Sequence, residues 1–174
     1  MINGEKIILR PFKKTDRKFT YQLRINLEII NSLLSYPLPV SDDVEGEWIK
    51  GIIEKKKSDQ AYFAITSHDS NDFLGYCSLK NIDYRNGNAE YGIVILPEHQ
   101  GKGYASEATK LISIYGIDTL RLNKIFCYIR SDNESSITMF KKAGYYLEGI
   151  LKKHVFRNNR YIDVAIYAFL KKMK

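Results

Sequence analysis

The sequence predicts an α/β (α+β) domain built on one mixed sheet. Three observations carry this. Strand-like apolar runs and helix-periodic runs alternate irregularly: strand, two helices, three strands, helix, strand, helix, two strands. No repeat or low-complexity linker interrupts the 174 residues, so 1–174 reads as one domain. Hydrophobic residues make up 44% and charged residues 27%, with 13 Tyr and 8 Phe against 4 Pro, which supplies a core and excludes a mainly disordered chain.

The elements follow in order. Lys6 to Leu9 is a first strand, closed by Pro11. Asp16 to Leu27 places Phe19, Leu23 and Leu27 at helical spacing, and Asp42 to Lys56 is a second helix with Trp48, Ile49, Ile52 and Ile53 on one face. Pro37 and Pro39 separate the two. Ala61 to Thr66 and Phe73 to Ile82 read as a hairpin around the polar stretch Ser67 to Asp72. Asn86-Gly87 marks the next tight turn. Glu90 to Leu96 is apolar on both faces, hence a central strand, and ends at Pro97. Gln100-Gly101-Lys102-Gly103-Tyr104-Ala105 opens a helix whose buried face carries Ala105, Ala108, Leu111, Ile112 and Tyr115. Lys124 to Arg130 is a strand, Asn133 to Ala143 a helix stopped by Gly144, and Tyr145 to Leu151 and Tyr161 to Leu170 close the chain around an Asn158-Asn159 turn.

Composition narrows the function. The longest apolar run, Val164 to Leu170, has seven residues, far short of the about 20 that a membrane span needs. The N-terminal stretch lacks the apolar core of a signal peptide. Cys77 and Cys127 both sit in apolar strands and read as buried free thiols, and no Cys/His group has metal-ligand spacing. A cytoplasmic protein without a metal is expected. The net charge of +7 favours anionic partners, although Lys55, Lys56, Lys57, Lys171, Lys172 and Lys174 read as solvated surface.

The informative stretch runs from Glu90 to Ser106. A buried strand stops at a proline, a glycine-rich turn follows, and a helix starts at once. The first helical amides have no partners within the helix and, with the helix dipole, favour an anion. Gly101 and Gly103 permit close approach of a diphosphate, and Lys102 adds charge. The turn is neither a Walker loop nor a dinucleotide fingerprint, because the required lysine-serine/threonine pair and third glycine are missing.

Gln100-x-x-Gly103-x-Ala105 resembles the Gln/Arg-x-x-Gly-x-Gly/Ala signature of the GNAT acetyltransferases. Asn133-x-x-Ser136-Ile137 followed by Gly144-Tyr145 is similar to that family's second block. Leu9-Arg10-Pro11-Phe12 with Asp16, Leu147-Glu148-Gly149, and Asn158 through Val164 extend the resemblance over nearly the whole chain. It is nearest to the ribosomal-protein (RimJ/RimL) and spermidine N-acetyltransferases. It implies a GNAT fold, a mostly antiparallel mixed sheet splayed at the fourth and fifth strands with about four flanking helices, and acetyl-CoA as co-substrate without a metal.

The resemblance also implies roles. Backbone groups of Ile93, Val94 and Ile95 would pair with the pantetheine arm. Gln100 and the amides of Gly101, Lys102, Gly103, Tyr104, Ala105 and Ser106 would hold the pyrophosphate, and Asn133 would touch the cofactor near its thiol. Asn133 equally suits a helix N-cap, with Asp132 as the other candidate. The chemistry is attack of a neutral amine on a thioester. An alkylamine titrates near ~10 and must lose a proton. Glu90, on the face of Gly92 and Val94, is the candidate base, or else a strand-end carboxylate bonded to a neighbouring loop or to Arg85. The Val94 amide is placed to stabilise the oxygen charge. Relatives carry a tyrosine acid where this chain has Phe140, which leaves Ser136 as the candidate, a first-turn helix residue otherwise, with Tyr145, Tyr146 and Tyr128 nearby.

The expected acceptor is a protein N-terminus, with a polyamine or an amino-sugar nucleotide as alternatives. Asp42, Asp43, Glu45 and Glu47 form an acidic group near the acceptor side, readable also as helix-start acids. His154, Arg157 and Arg160 would suit an anionic acceptor, and the last hairpin is expected to help roof the cleft. An acetyl-CoA sensor without turnover is the non-enzyme reading. Direct nucleic-acid binding is not expected, and a homodimer fits the family.

Overall fold

Eight strands hydrogen-bond into one sheet in the order β1-β2-β3-β4-β5-β6-β8-β7. They are β1 (Ile2–Asn3), β2 (Ile7–Arg10), β3 (Ala61–Ser67), β4 (Phe73–Asp83), β5 (Asn88–Ile95), β6 (Lys124–Arg130), β7 (Tyr146–Arg157) and β8 (Arg160–Leu170). The structure, a computed structural model, describes residues 1–34, 38, 40–54 and 57–171. Pro37, Pro39, Lys55, Lys56, Lys172 and Lys174 lie outside them.

Among the described residues, five α-helices accompany the sheet: α1 (Arg17–Ile25), α2 (Leu27–Ser32), α3 (Asp42–Ile53), α4 (Tyr104–Ile114) and α5 (Glu134–Lys142). The sequence predicts about four. The extra one arises at Asn26, whose extended backbone breaks the first predicted helix and whose side chain accepts the amides of Glu28 and Ile29, capping α2. β1 is also additional, two residues pairing Ile2 with Leu9. With it counted, the predicted fourth and fifth strands are β5 and β6.

Turn chemistry sets the register. Asp83 Oδ1 accepts the amides of Arg85 and Asn86, and Gly87 adopts a φ of 67°, so β4 and β5 form a hairpin that pairs Lys80 with Glu90 and Tyr76 with Val94. Asn158 and Asn159, with φ of 51° and 59°, turn β7 into β8.

The sheet has a covered core on both faces. Leu79, Tyr91, Ile95 and Cys77 pack with Ala108 and Ile112 of α4 and Phe140 of α5. Val94, Ala64 and Leu96 pack with Leu23, Ile29 and Ile49 from α1, α2 and α3. A buried bidentate pair ties the N-terminal helices to the sheet: Arg10 donates to both Asp16 oxygens at 2.8 Å, and Asp16 also accepts the Lys13 amide. Neighbouring strands are antiparallel except β5 and β6, which run parallel.

Candidate active site

The parallel contact between β5 and β6 covers Asn88–Lys124, Ala89–Ile125 and Glu90–Phe126, and then stops. Beyond it β5 stays bonded to β4 and β6 to β8. The two strands therefore part like a V, as the sequence predicts, and Tyr91 to Ile95 keep one edge without a strand partner. Buried backbone groups need partners, so such an edge suits an extended ligand that adds itself as a strand. A cleft of about 1230 Å³ opens there.

One mouth of the cleft is the glycine turn. Gln100 donates from Nε2 to the Ile95 carbonyl at 3.0 Å, which holds the turn against the end of β5. Gly101 and Gly103 take φ of 74° and 87°, and Gly103 is the N-cap of α4. A Cβ at Gly101 would meet nothing within 4 Å, and one at Gly103 only Lys6 Nζ at 3.9 Å. The backbone of the turn is open for a group as bulky as a diphosphate, so the residues fit the co-substrate that the resemblance implies. Gln100, Gly101, Gly103, Tyr104, Ala105 and Ser106 line the cleft together with Ile93, Val94 and Ile95. Lys102 does not: it is exposed, on the outer side of the turn between its two left-handed glycines. Lys6 is a cation at this turn that the sequence reading missed. Glu107 of α4 accepts its backbone amide, which brings a residue nearly a hundred positions away to the helix start.

Asn133 caps α5, accepting from the Ser136 amide at 3.1 Å and the Ser135 hydroxyl at 2.9 Å, and it also lines the cleft. Asp132, the alternative cap, is instead paired with Arg130 and Arg160. The Arg130 hydrogen bonds hold its carboxyl below the ordinary value. Ser136 and Phe140 line the cleft as well. Phe140 is buried edge-on against Tyr91 and Tyr145. Of the tyrosines offered as substitutes, Tyr145 is buried and bonded to Ser113, with its pKa raised by burial, and lies outside the cleft lining. Tyr146 also lies outside it, whereas Tyr128 lines it.

Glu90 stands where the strands part. It is bonded to β4, with Lys80 Nζ 3.4 Å from Oε1 and Asn81 Nδ2 3.2 Å from Oε2, and not to Arg85. The wall beyond it is aromatic: Trp48, Tyr62 and Tyr76 line the cleft with Arg24, Ser78 and Lys80. Burial pushes the Tyr76 hydroxyl up to about 12, and it raises Tyr62 against the opposing pull of Arg24. No sequence motif joins positions 24, 48, 62, 76 and 80. The usable signal was register, since the Asn86-Gly87 turn sets Lys80 opposite Glu90.

The acidic group from the start of α3 does not reach the cleft. Asp42 and Asp43 pair outward with Arg17, Glu47 with Lys50, and Glu45 is buried beside Arg24. His154, Arg157 and Arg160 lie outside the cleft lining too, and the β7–β8 hairpin, expected to help roof the cleft, contributes no lining residue among those described. Cys77 and Cys127 are buried free thiols, as the sequence predicts. Among the described residues no group of His, Cys, Asp and Glu has the makings of a metal site, and no helix is long and apolar enough to cross a membrane.

Known proteins give the same picture. The acetyltransferase (GNAT) domain model matches residues 6–146. The spermidine N(1)-acetyltransferase of Escherichia coli K12 is 28% identical over 161 residues, 92% of this chain and 84% of that one. The crystal structure of spermidine N-acetyltransferase from Vibrio cholerae in complex with CoA and spermine superposes with a TM-score of 0.86 at 28% identity, covering 96% of both chains. A dodecameric structure of the Vibrio cholerae enzyme in an intermediate state superposes with a TM-score of 0.81 at 28% identity, covering 96% of this chain and 95% of that one.

Proposed function

Because the chain belongs to the GNAT acetyltransferase family, we propose that the amine it acetylates is that of a polyamine such as spermidine. The protein is an N-acetyltransferase that uses acetyl-CoA. The observation that supports the polyamine is the joint likeness of sequence and fold to spermidine enzymes over almost the full chain. A protein N-terminus, the acceptor expected first from the sequence, gains no such support, and nor does the RimJ/RimL subtype.

In this reading each site residue has a task. Backbone groups of Ile93 and Ile95, the ones turned to the open edge, hold the pantetheine arm as an added strand, and the amides of Gly101 and of Gly103 to Ser106 hold the pyrophosphate at the start of α4. Glu90, fixed by Lys80 and Asn81, takes the proton of the incoming ammonium directly or through a water. The register pairs Val94 with Tyr76 and turns its amide into β4, against the sequence expectation, so the amides on the open edge, Ile93 and Ile95, are the ones available to the oxygen on which charge develops. Ser136, whose hydroxyl has no hydrogen-bond partner among the described residues, donates toward the departing sulfur. Phe140, with Tyr91 and Tyr145, forms the apolar wall behind the thioester. The exposed apolar side chains of the hairpin, Leu147, Ile150 and Phe156, serve contact with further copies of the chain.

The test is release of free CoA from acetyl-CoA with spermidine, peptides of varied N-terminal residue, an amino-sugar nucleotide and an aminoglycoside. Spermidine with the largest kcat/KM is the expected result. Acetylation of peptides alone would replace the polyamine reading, and tight acetyl-CoA binding without any turnover would replace the enzyme by a sensor.

A further inference from the structure

The acceptor wall holds a cation that the proposed chemistry leaves unused. Arg24 of α1 lines the cleft with its side chain 35% exposed. Its Nε lies 3.1 Å from Glu45 Oε2, and its guanidinium stands 4.7 Å over the Trp48 ring. The Nη nitrogens have no hydrogen-bond partner among the described residues. A guanidinium carries five N–H donors in a rigid fork, so one edge is held by Glu45, the plane is set by Trp48, and the outer donors remain for a ligand.

Glu45 makes this arrangement expensive to keep without a use. It is fully buried, and neither carboxylate oxygen has a hydrogen bond meeting normal geometry, so the Arg24 contact is an ion pair alone. Apolar residues of similar size usually stabilise such a position at least as well. What the pair achieves is to hold the guanidinium in one place at the rim of an aromatic wall.

The charges of the acceptor half are then ordered. Glu90 stands at the parting of β5 and β6, and Arg24, Trp48, Tyr62 and Tyr76 line the same cleft. Burial raises the Tyr62 hydroxyl, with a lowering pull from Arg24 and a lesser raising one from Glu90. An acceptor with an ammonium at one end meets Glu90. At its other end it meets a cation with free donors, which attracts a carboxylate.

We infer that Arg24 binds the carboxylate of a second acceptor class, amino carboxylates, which this cleft acetylates alongside polyamines. This goes beyond the polyamine reading and rests only on the acetyltransferase reaction. The step balances: the neutral amine nitrogen forms the N–C bond to the acetyl carbonyl, the C–S bond breaks, the amine proton leaves through Glu90, and the thiolate takes a proton to give CoA. The product is an N-acetylamino carboxylate.

Three acceptors of nearly equal length separate the charge at the far end: 6-aminohexanoate, 6-aminohexanamide and 1,6-diaminohexane, each assayed for CoA release beside spermidine. The wild type is expected to favour the carboxylate over the amide by about tenfold in kcat/KM, the worth of one charge-assisted hydrogen bond. The diamine serves as the polyamine-like control. Arg24→Gln should bring the carboxylate and the amide within about twofold, with the acetyl-CoA KM unchanged. Since that variant strands Glu45, the double variant Arg24→Gln/Glu45→Gln repeats the test without a buried lone charge, and Arg24→Lys should keep part of the preference. No turnover of the carboxylate by the wild type, or an unchanged ranking in both glutamine variants, overturns the inference. Spermidine turnover in that case leaves the polyamine reading standing. Carboxylate turnover without spermidine turnover does the reverse.

Discussion

Phe140 stands edge-on to Tyr145, ring centroids 5.1 Å apart at 72°, and the Tyr145 hydroxyl is committed to Ser113 at 2.8 Å on the side away from the cleft. The ring that resembles the family's acid position thus has no proton, and the nearest phenol is already engaged. Phe140→Tyr puts a hydroxyl back. It should raise kcat by roughly tenfold, below the about 10²–10⁴ of a fully effective acid, because Ser136 supplies part of the effect. The new hydroxyl costs about 1–3 kcal/mol of stability where it finds no partner. Steady-state kinetics beside a thermal melt decide it, and an unchanged kcat would show that proton supply to sulfur is not limiting.

Ser136→Ala is the complement. With the hydroxyl gone, kcat should fall by about tenfold while the acetyl-CoA KM holds, since the Asn133 cap uses the Ser136 amide and not its side chain. A fall in thermal stability with unchanged kcat would make Ser136 a helix residue only.

Glu90→Gln should lower kcat/KM for the amine by about 10²-fold at neutral pH. The deficit should narrow as pH approaches the amine's own ~10, where free amine no longer needs a base. A pH–rate profile parallel to that of the wild type would assign Glu90 to holding Lys80 and Asn81 instead.

Gly103→Val forces a β-branched residue to a φ of 87°. The backbone cost is about 1–2 kcal/mol, small enough to leave the chain folded, but the added methyls occupy the open side of the turn. The acetyl-CoA KM should rise at least about tenfold by titration and kinetics alike, and an unchanged KM removes the turn from cofactor binding.

Stability has its own tests. Asp16→Ala leaves the buried Arg10 guanidinium without its carboxylate, a loss of about 3–5 kcal/mol and about 10 °C in Tm. Asp132 behaves differently with pH. Hydrogen bonds from Arg130, then the charges of Arg130 and Arg160, hold its folded pKa below that of an unfolded aspartate, ~3.9. Its contribution is therefore complete above that value and disappears as pH falls through the lower, folded one. Melts of Asp132→Asn and wild type should differ at pH 6 and converge in strong acid; a constant gap would mean that the carboxylate charge contributes nothing.

The sequence made the glycine-turn half of the cleft legible and not the aromatic half, for a physical reason. A strand end, two glycines and a helix start are contiguous, so the whole glycine turn at the mouth of the cleft is written between Glu90 and Ser106. Asn133 announces its cap by residue type. The acceptor wall is assembled from α1, α3, β3 and β4, and its members are ordinary core residues until the sheet register brings Tyr62, Tyr76, Lys80 and Glu90 together. The acidic run 42–47 misled because three of its carboxylates serve Arg17 and Lys50 at the surface, and the fourth is buried behind Arg24. The Asn26 break was visible as a cap residue, yet the apolar spacing ran straight through it.

The two buried cysteines bear on how every one of these experiments is read. Burial raises both thiols far above neutral pH; Cys77 is enclosed in the core, and Cys127 is nearly buried but lines the cleft. A colorimetric thiol titration at neutral pH therefore sees at most the slow reaction of Cys127 from the folded enzyme, and an enzyme-only blank leaves the released CoA to be counted mole for mole. The same reagent without substrate should gain two equivalents per chain when denaturant is added. One cuvette thus serves as turnover meter and folding gauge, and a crippled variant that stays silent to the dye has lost chemistry rather than structure.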